Sequence, residues 1–256
     1  MNSSQPTDEM PDAGEGHHFR EPLPAVSIVI PIYNEEGILH SAVVDPVERL
    51  GGFPHSYEIV LAENGSRDST AEIAAALSKA HPQVRAFSIG EPNYGKALRQ
   101  GILRSAGEFV VCDEIDLCDV DFYARAMGIL SAGEADLVIG SKALRESKDK
   151  RPFERRAATI VINGMLRVAL GFKGTDTHGL KAMRKRVLLP VIDACLVDKD
   201  LFASELVIRA QRAGVRIREI PVVVIEKRAP SIRLTKRVPN VLKNLARLFW
   251  SIRVRG

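Results

Sequence analysis

Cysteine is scarce in this chain of 256 residues: Cys112, Cys118 and Cys195 form no CxxC pair and no even framework. That excludes a disulfide scaffold and a zinc-finger site, and predicts a reducing compartment. No apolar run approaches the roughly 20 residues needed to span a bilayer, and the N-terminus lacks the apolar stretch of a signal peptide. The expectation is a cytoplasmic protein. There is no GxGxxG and no GxxxxGK[ST], so dinucleotide and P-loop readings lose their main support. Acidic residues are missing from the end of the chain: residues 227–256 carry nine Lys/Arg and no Asp or Glu.

What is present is ordinary for a soluble α/β protein, with 45% hydrophobic and 27% charged residues. The length suits one α/β domain with a sizeable core, or two small ones. Residues 1–24 hold five acids, one base and several Pro, Ser and Gly without periodicity, which predicts a disordered tail. The net charge of +4 therefore conceals +8 over the remainder. A basic end suggests an anionic partner, namely phosphates, a membrane surface or nucleic acid. Nothing else in the sequence supports nucleic acid.

From "AVSIVIPIY" (25–33) onward, short apolar runs alternate with helical segments. Strands are expected at 57–62, 84–89, 108–112 and 135–141, with helices near 37–50, 68–80, 94–106 and 120–132. This alternation predicts a mainly parallel, helix-covered sheet. Further on, helices are expected over about 153–170 and 200–213, with a strand at 215–227. Val238, Val241, Leu242, Leu245, Leu248, Phe249 and Ile252 fall at helical spacing, so residues 231–256 read as a basic amphipathic helix.

Ligands of open α/β sheets bind beyond the carboxyl ends of the strands. Three strands here end in polar clusters in sequential order: "PIYNEE" (31–36), "AENGSRDST" (62–70) and "CDEID" (112–116). The last follows the apolar Phe109-Val110-Val111. Acids there can hold a metal, or can simply form a loop that caps the next helix. By themselves the residues leave both readings open.

The pieces "SIVIPIYNEE", "ENGSRDST", "NYGKALRQGI", "DEID", "DLVIGSK", "DTHGLKAMRK" and "ELVIRAQRAGVRIREIPV" together resemble glycosyltransferase family 2, with the GT-A fold. The resemblance covers roughly residues 25–230 and is narrowest to the dolichyl-phosphate mannose synthase and polyprenyl-phosphate glycosyltransferase branch. It implies a nucleotide-binding half at about 25–141 and an acceptor half at about 142–230. Pro31 and Tyr33 would shape the donor pocket. Glu35 and Glu63 would accept hydrogen bonds from base and ribose, and Gly95 and Lys96 would meet the donor. In the family two aspartates usually precede Gly-Ser, where this chain has Glu63 and Asn64.

The same resemblance makes "CDEID" the Asp-x-Asp metal motif, with Mg²⁺ or Mn²⁺ neutralising the donor diphosphate. Asp116 is expected as one ligand and Asp113 or Glu114 as its partner, while Asp119 and Asp121 would serve the next helix. Lys142, Arg155, Arg156, Arg228 and Arg233 would receive an acceptor phosphate. A phosphate acceptor needs no strong general base, because its second pKa is about 6. Asp176 and Glu205 match acceptor-side positions of unclear role, and His178 stands where the family usually has a small residue.

The implied activity is inverting transfer of a hexose from a GDP- or UDP-sugar, with GDP-mannose the first choice, to a polyprenyl phosphate. The enzyme would sit peripherally on the cytoplasmic face of an anionic membrane. Two rivals remain: transfer to a saccharide hydroxyl, and donor binding without turnover.

Overall fold

The computed structural model describes residues 23–144, 146–149, 153–224 and 238–254. Most of the expected N-terminal tail, together with Arg228 and Arg233, lies outside these residues.

Strand β1 (Val26–Ile32) is buried along its whole length, as its unbroken apolar run requires of a strand covered on both faces. It pairs in parallel with β2 (Tyr57–Glu63) on one side and β4 (Phe109–Cys112) on the other. Strand β3 (Val84–Ser88) extends the sheet beyond β2. On the far side, β7 (Leu180–Arg184) lies between β4 and β5 (Leu137–Ser141), antiparallel to both. Strand β8 (Ile217–Pro221) closes that edge, parallel to β5. Among the described residues the sheet order is β3-β2-β1-β4-β7-β5-β8.

Alternation along the strands divides the core into two layers. Ile28, Ile30 and Ile32 face α1 (Leu39–Arg49), α2 (Thr70–Ala80) and α4 (Val120–Ser131). Val29, Val60 and Val110 face the layer containing α3 (Tyr94–Arg104), α5 (Phe153–Leu170), α6 (Lys185–Ala194) and α7 (Phe202–Arg212). Helix α8 (Val238–Phe249) and the π-type turn 250–254 join this second layer through Leu248 and Ile252.

The helices expected near 37–50, 68–80, 94–106, 120–132, 153–170 and 200–213 fall within a few residues of those positions, α6 has no counterpart among them, and the sheet is mainly parallel. The expected single strand 215–227 is corrected. Strand β8 ends at Pro221, and two residues on, β9 (Val223–Val224) pairs instead with β6 (Lys148–Asp149). Proline offers no N–H to continue a ladder, and Val222 packs into the core at the break. The loop 175–179 leads into β7, which is a central strand of the sheet.

Gly101 lets α3 lie against β1, because a Cβ there would overlap Val29 Cγ1. Gly101→Ala should destabilise the protein by about 1–3 kcal/mol through overpacking, measured as a shift in urea midpoint at unchanged m-value.

Candidate functional site

The loops that follow β1 and β2 are laced to each other. Asn34 N–H donates to Ser66 Oγ (3.0 Å), Arg67 N–H to Asn34 Oδ1 (2.9 Å) and Glu35 N–H to Thr70 Oγ1 (2.7 Å). Ser69 N–H donates to Glu36 Oε2 (3.0 Å). Asp68 accepts from Thr70 and from Glu36 N–H, which makes it a brace at the start of α2. Pro31 is buried beneath this lattice, Glu35 is half-buried, and Tyr33 is exposed.

Glu63 is buried, and both its oxygens are engaged within the protein. Ser66 N–H donates to Oε1 and Ser88 Oγ to Oε2. Burial would raise its pKa, but these hydrogen bonds outweigh burial and hold it below the usual range. Gly65 makes the turn at φ 76°, with its α-carbon against the backbone of Glu91. In this geometry Glu63 shapes the loop from inside.

Asn93 caps α3 by accepting from Lys96 N–H (3.0 Å) and also accepts from Lys199 N–H (2.9 Å). A Cβ on Gly95 would collide with the backbone of Lys199, so the close approach that Gly95 permits is to the segment before α7. The ammonium of Lys96 pairs with Glu91. Tyr94 is 36% exposed as a residue, but its hydroxyl is shielded from water and lies within electrostatic reach of Glu114, Asp113 and Asp116, and both effects raise its pKa.

The acid loop is organised by Asp113, which is 2% exposed. Its carboxylate accepts from the N–H groups of Glu114 and Asp119 (3.1 Å) and from Tyr123 Oη. Burial outweighs these donors and pushes its pKa up to about 7. With both oxygens turned inward, Asp113 holds the loop, and Glu114 and Asp116 are left at half-exposed positions. Asp116 opens onto a cleft of about 240 Å³ that Arg49, Arg125 and Val222 also line. Asp119 caps α4 through Phe122 N–H (3.0 Å), and Asp121 pairs with Arg125 (2.9 Å), both as expected.

Facing these acids are groups from the second half of the chain. Burial raises the pKa of Glu114, while Lys142 and Lys181 oppose the shift and Asp116 and Asp176 add to it. Asp176, itself 2% exposed, accepts from Lys142 N–H (3.3 Å) and His178 N–H (2.8 Å). Glu219 holds the preceding turn through Thr175 N–H (2.7 Å). His178 is exposed, with Nδ1 3.1 Å from Thr177 Oγ1. Arg155 and Arg156 belong to α5, but their side chains lie outside the described part of the structure.

Sequence reasoning missed Tyr94, Tyr123 and Lys181. The signal for Lys181 was a cation inside the otherwise apolar run "LKAM". Glu205 is a structural hub. Fully buried, it accepts from Leu196 N–H (2.9 Å), Val197 N–H (2.8 Å) and Ser251 Oγ (2.5 Å), and pairs with Arg209 (2.8 Å).

Among the described residues no three Asp, Glu, His or Cys side chains gather to cage a metal. Glu114 and Asp116 instead fit a hard cation that draws its remaining ligands from a phosphate-bearing ligand and water.

Residues 27–192 match the family model "Glycosyl transferase family 2". The chain belongs to that family. It is 28% identical over 235 residues to glycosyltransferase AglD of Haloferax volcanii, covering 90% of this chain but 38% of AglD. It is 26% identical to the dolichyl-phosphate beta-glucosyltransferase ALG5D of Trichomonas vaginalis, covering 80% of this chain and 67% of that protein. Among solved structures it resembles glucosyl-3-phosphoglycerate synthase from Mycobacterium tuberculosis in complex with Mn²⁺, UDP and glucosyl-3-phosphoglycerate. The TM-score is 0.61 at 21% identity, over 89% of this chain and 79% of the other. The shared architecture is the GT-A fold.

Asp113 gives a pH signature. Its unfolded pKa is about 3.9, so the folded state holds the proton more tightly. The stabilisation from that proton is fully present below about pH 4 and is lost as pH rises through about 7. In EDTA, wild-type stability relative to Asp113→Asn should fall by about 2–3 kcal/mol between pH 5 and 8. Urea titrations at a series of pH values measure this, and parallel curves would contradict the assignment.

Proposed function

We propose that this protein transfers a hexose, with inversion, from a nucleoside-diphosphate sugar to the phosphate of a polyprenyl phosphate. The observation that carries the reading is the acid loop at the carboxyl end of β4, where Asp113 is spent inside the loop, Glu114 and Asp116 are left half-exposed, and Lys142 lies within electrostatic reach of Glu114. Acids suited to a metal-bound diphosphate thus face a cation suited to a phosphate acceptor. The named relatives, dolichyl-phosphate glucosyltransferases among them, support the same class.

In this reading Pro31, Tyr33 and Glu35 bound the nucleoside side, with Glu63 fixing their loop and Gly95 and Lys96 flanking the donor. Mg²⁺ or Mn²⁺ on Asp116 and Glu114 supplies charge neutralisation for the departing nucleoside diphosphate. Asp113 keeps those two carboxylates outward. Lys142, with Arg155, Arg156, Arg228 and Arg233, receives the acceptor phosphate. That phosphate is largely dianionic at neutral pH and attacks without a strong base. GDP-mannose follows from the sequence resemblance, while the relatives' names favour glucose.

Incubation with Mn²⁺, labelled UDP-glucose or GDP-mannose, and a polyprenyl phosphate or oligosaccharide separates the readings. Lipid-linked hexose is expected, and Asp116→Asn should lower its rate roughly 100-fold or more. Label appearing only in saccharide would sink the phosphate-acceptor reading. Nucleotide binding with no product would leave a binding protein.

The acceptor lipid implies peripheral attachment at the cytoplasmic face of a membrane. The turn 250–254 buries Ser251 and Ile252 but exposes Phe249, Trp250 and Val254 beside Lys243, Arg247 and Arg253. Aromatics and cations together suit an anionic interface, and no helix among the described residues is long and apolar enough to cross a membrane. Sedimentation with phosphatidylserine-containing vesicles should capture the protein, and Arg247→Glu/Arg253→Glu should release most of it. A native protein that stays in the supernatant argues against the attachment.

A further inference from the structure

A cleft of about 740 Å³ opens between the segment 196–201 and α8, and it shares no lining residue with the acid loop. Its walls are tied together beneath by buried Glu205. That carboxylate accepts from the N–H groups of Leu196 and Val197 on one wall and from Ser251 Oγ (2.5 Å) on the other. Lys243, Arg247 and Trp250 line the cleft from successive turns of α8 and the turn after it, and Lys199 lines it from the opposite wall. All four are exposed.

Among the described residues none of these three cations forms an ion pair, and the one acid of the walls, Asp198, is itself open to solvent. Cations gathered without a counter-ion repel one another, and an anion held between them removes that cost. The same mouth exposes Leu196 and the indole of Trp250, which suit a ligand whose charged end continues into an apolar body. A phospholipid headgroup with the first carbons of its chains has that chemistry, and the volume is that of an ordinary small-molecule site.

The cleft wall is also part of the donor side. Lys199 holds φ 55°, a left-handed backbone that a lysine adopts only where its surroundings impose it. Its N–H donates to Asn93 Oδ1 (2.9 Å), the atom that also caps α3, and its carbonyl abuts Gly95. Movement of this wall therefore moves the start of α3, which carries Gly95 and Lys96.

We propose that this cleft binds the phosphate headgroup of an anionic bilayer lipid, and that the bound lipid clamps α8 to the segment 196–201, steadies the start of α3 and strengthens donor binding. The source of the ligand rests on the membrane-attachment reading, and the coupling rests on the donor reading.

Trp250 is the chain's one tryptophan, so its fluorescence reports the cleft directly. Short-chain phosphatidylserine below its micelle concentration, phosphatidylcholine of the same chain length and inorganic phosphate are titrated into wild type and Lys243→Gln/Arg247→Gln, with folding checked by circular dichroism. Phosphatidylserine should saturate a shift of emission to shorter wavelength, and the double variant should bind it about tenfold more weakly or worse. In calorimetry with Mn²⁺, saturating phosphatidylserine should tighten UDP or GDP binding roughly fivefold. Asn93→Ser keeps a cap for α3 but is too short to reach Lys199 N–H as well, so it should bind the lipid and lose that gain.

Phosphatidylcholine or inorganic phosphate bound as tightly as phosphatidylserine overturns the lipid site, and so does a double variant that binds like wild type. Unchanged nucleotide affinity in lipid-saturated wild type overturns the coupling. Wild type that binds neither nucleotide sinks the donor reading and the coupling with it, while the Trp250 titration still decides the site. A protein that takes up the soluble lipid but is not captured by vesicles sinks the attachment reading alone.

Discussion

A carboxylate at the mouth of a fully buried strand has to be satisfied by the protein or protonated, and Asp113 answers that constraint with two backbone N–H groups and the Tyr123 hydroxyl. The consequence is geometric. The chain after β4 has to turn so that the N–H groups of Glu114 and Asp119 converge on one side chain, and Cys118 adopts φ 45° within that turn. Glu114 and Asp116 are then presented outward while Asp119 starts α4. The site's orientation, the register of α4 and the burial of Tyr123 all follow from holding one buried carboxyl group at the end of β4.

The second constraint is topological. Strands β1 to β4 with their helices form a local, right-handed parallel unit whose loops all emerge on one edge. The second half enters that unit by inserting β7 antiparallel between β4 and β5. This reversal brings the turn before β7, with Asp176, and the loop after β5, with Lys142, to the edge where the acid loop emerges. Acidic and basic side chains come to the same edge there because one strand runs against its neighbours.

Local pattern made much of this legible. Continuous apolar runs marked β1, β2 and β4, and Asp119 followed by an apolar periodic segment marked the cap of α4. The pairing of β7 was not legible, because a five-residue strand carries no record of which neighbours it separates. Nor could side-chain direction be read: Glu63 and Asp113 look like exposed ligands in sequence, yet both are buried and spend their oxygens within the protein, on their own loops and on Ser88 and Tyr123. Gly95 suggested an open approach for a ligand, whereas the approaching group is the backbone of Lys199. In each case a contact from more than twenty residues away, or a turn closing on itself, decided the outcome.

The C-terminal helix shows why composition left membrane and core readings balanced. An amphipathic helix has an apolar stripe, and both a bilayer and a protein core can cover it. Here Leu248 and Ile252 spend that stripe on the core, and polar contacts fix the fit: Arg209 reaches Ser251 O (3.0 Å) and Arg212 reaches Ile252 O (2.8 Å). Glu205 sits at the centre and can remain buried because Ser251, Arg209 and two backbone N–H groups share its charge. Its partners Leu196 and Val197 begin the segment that leads through Lys199 to the Asn93 cap. With the core-facing side committed in this way, Phe249, Trp250 and the adjacent cations stay outward, and the widening of the last turn to π geometry is compatible with both demands.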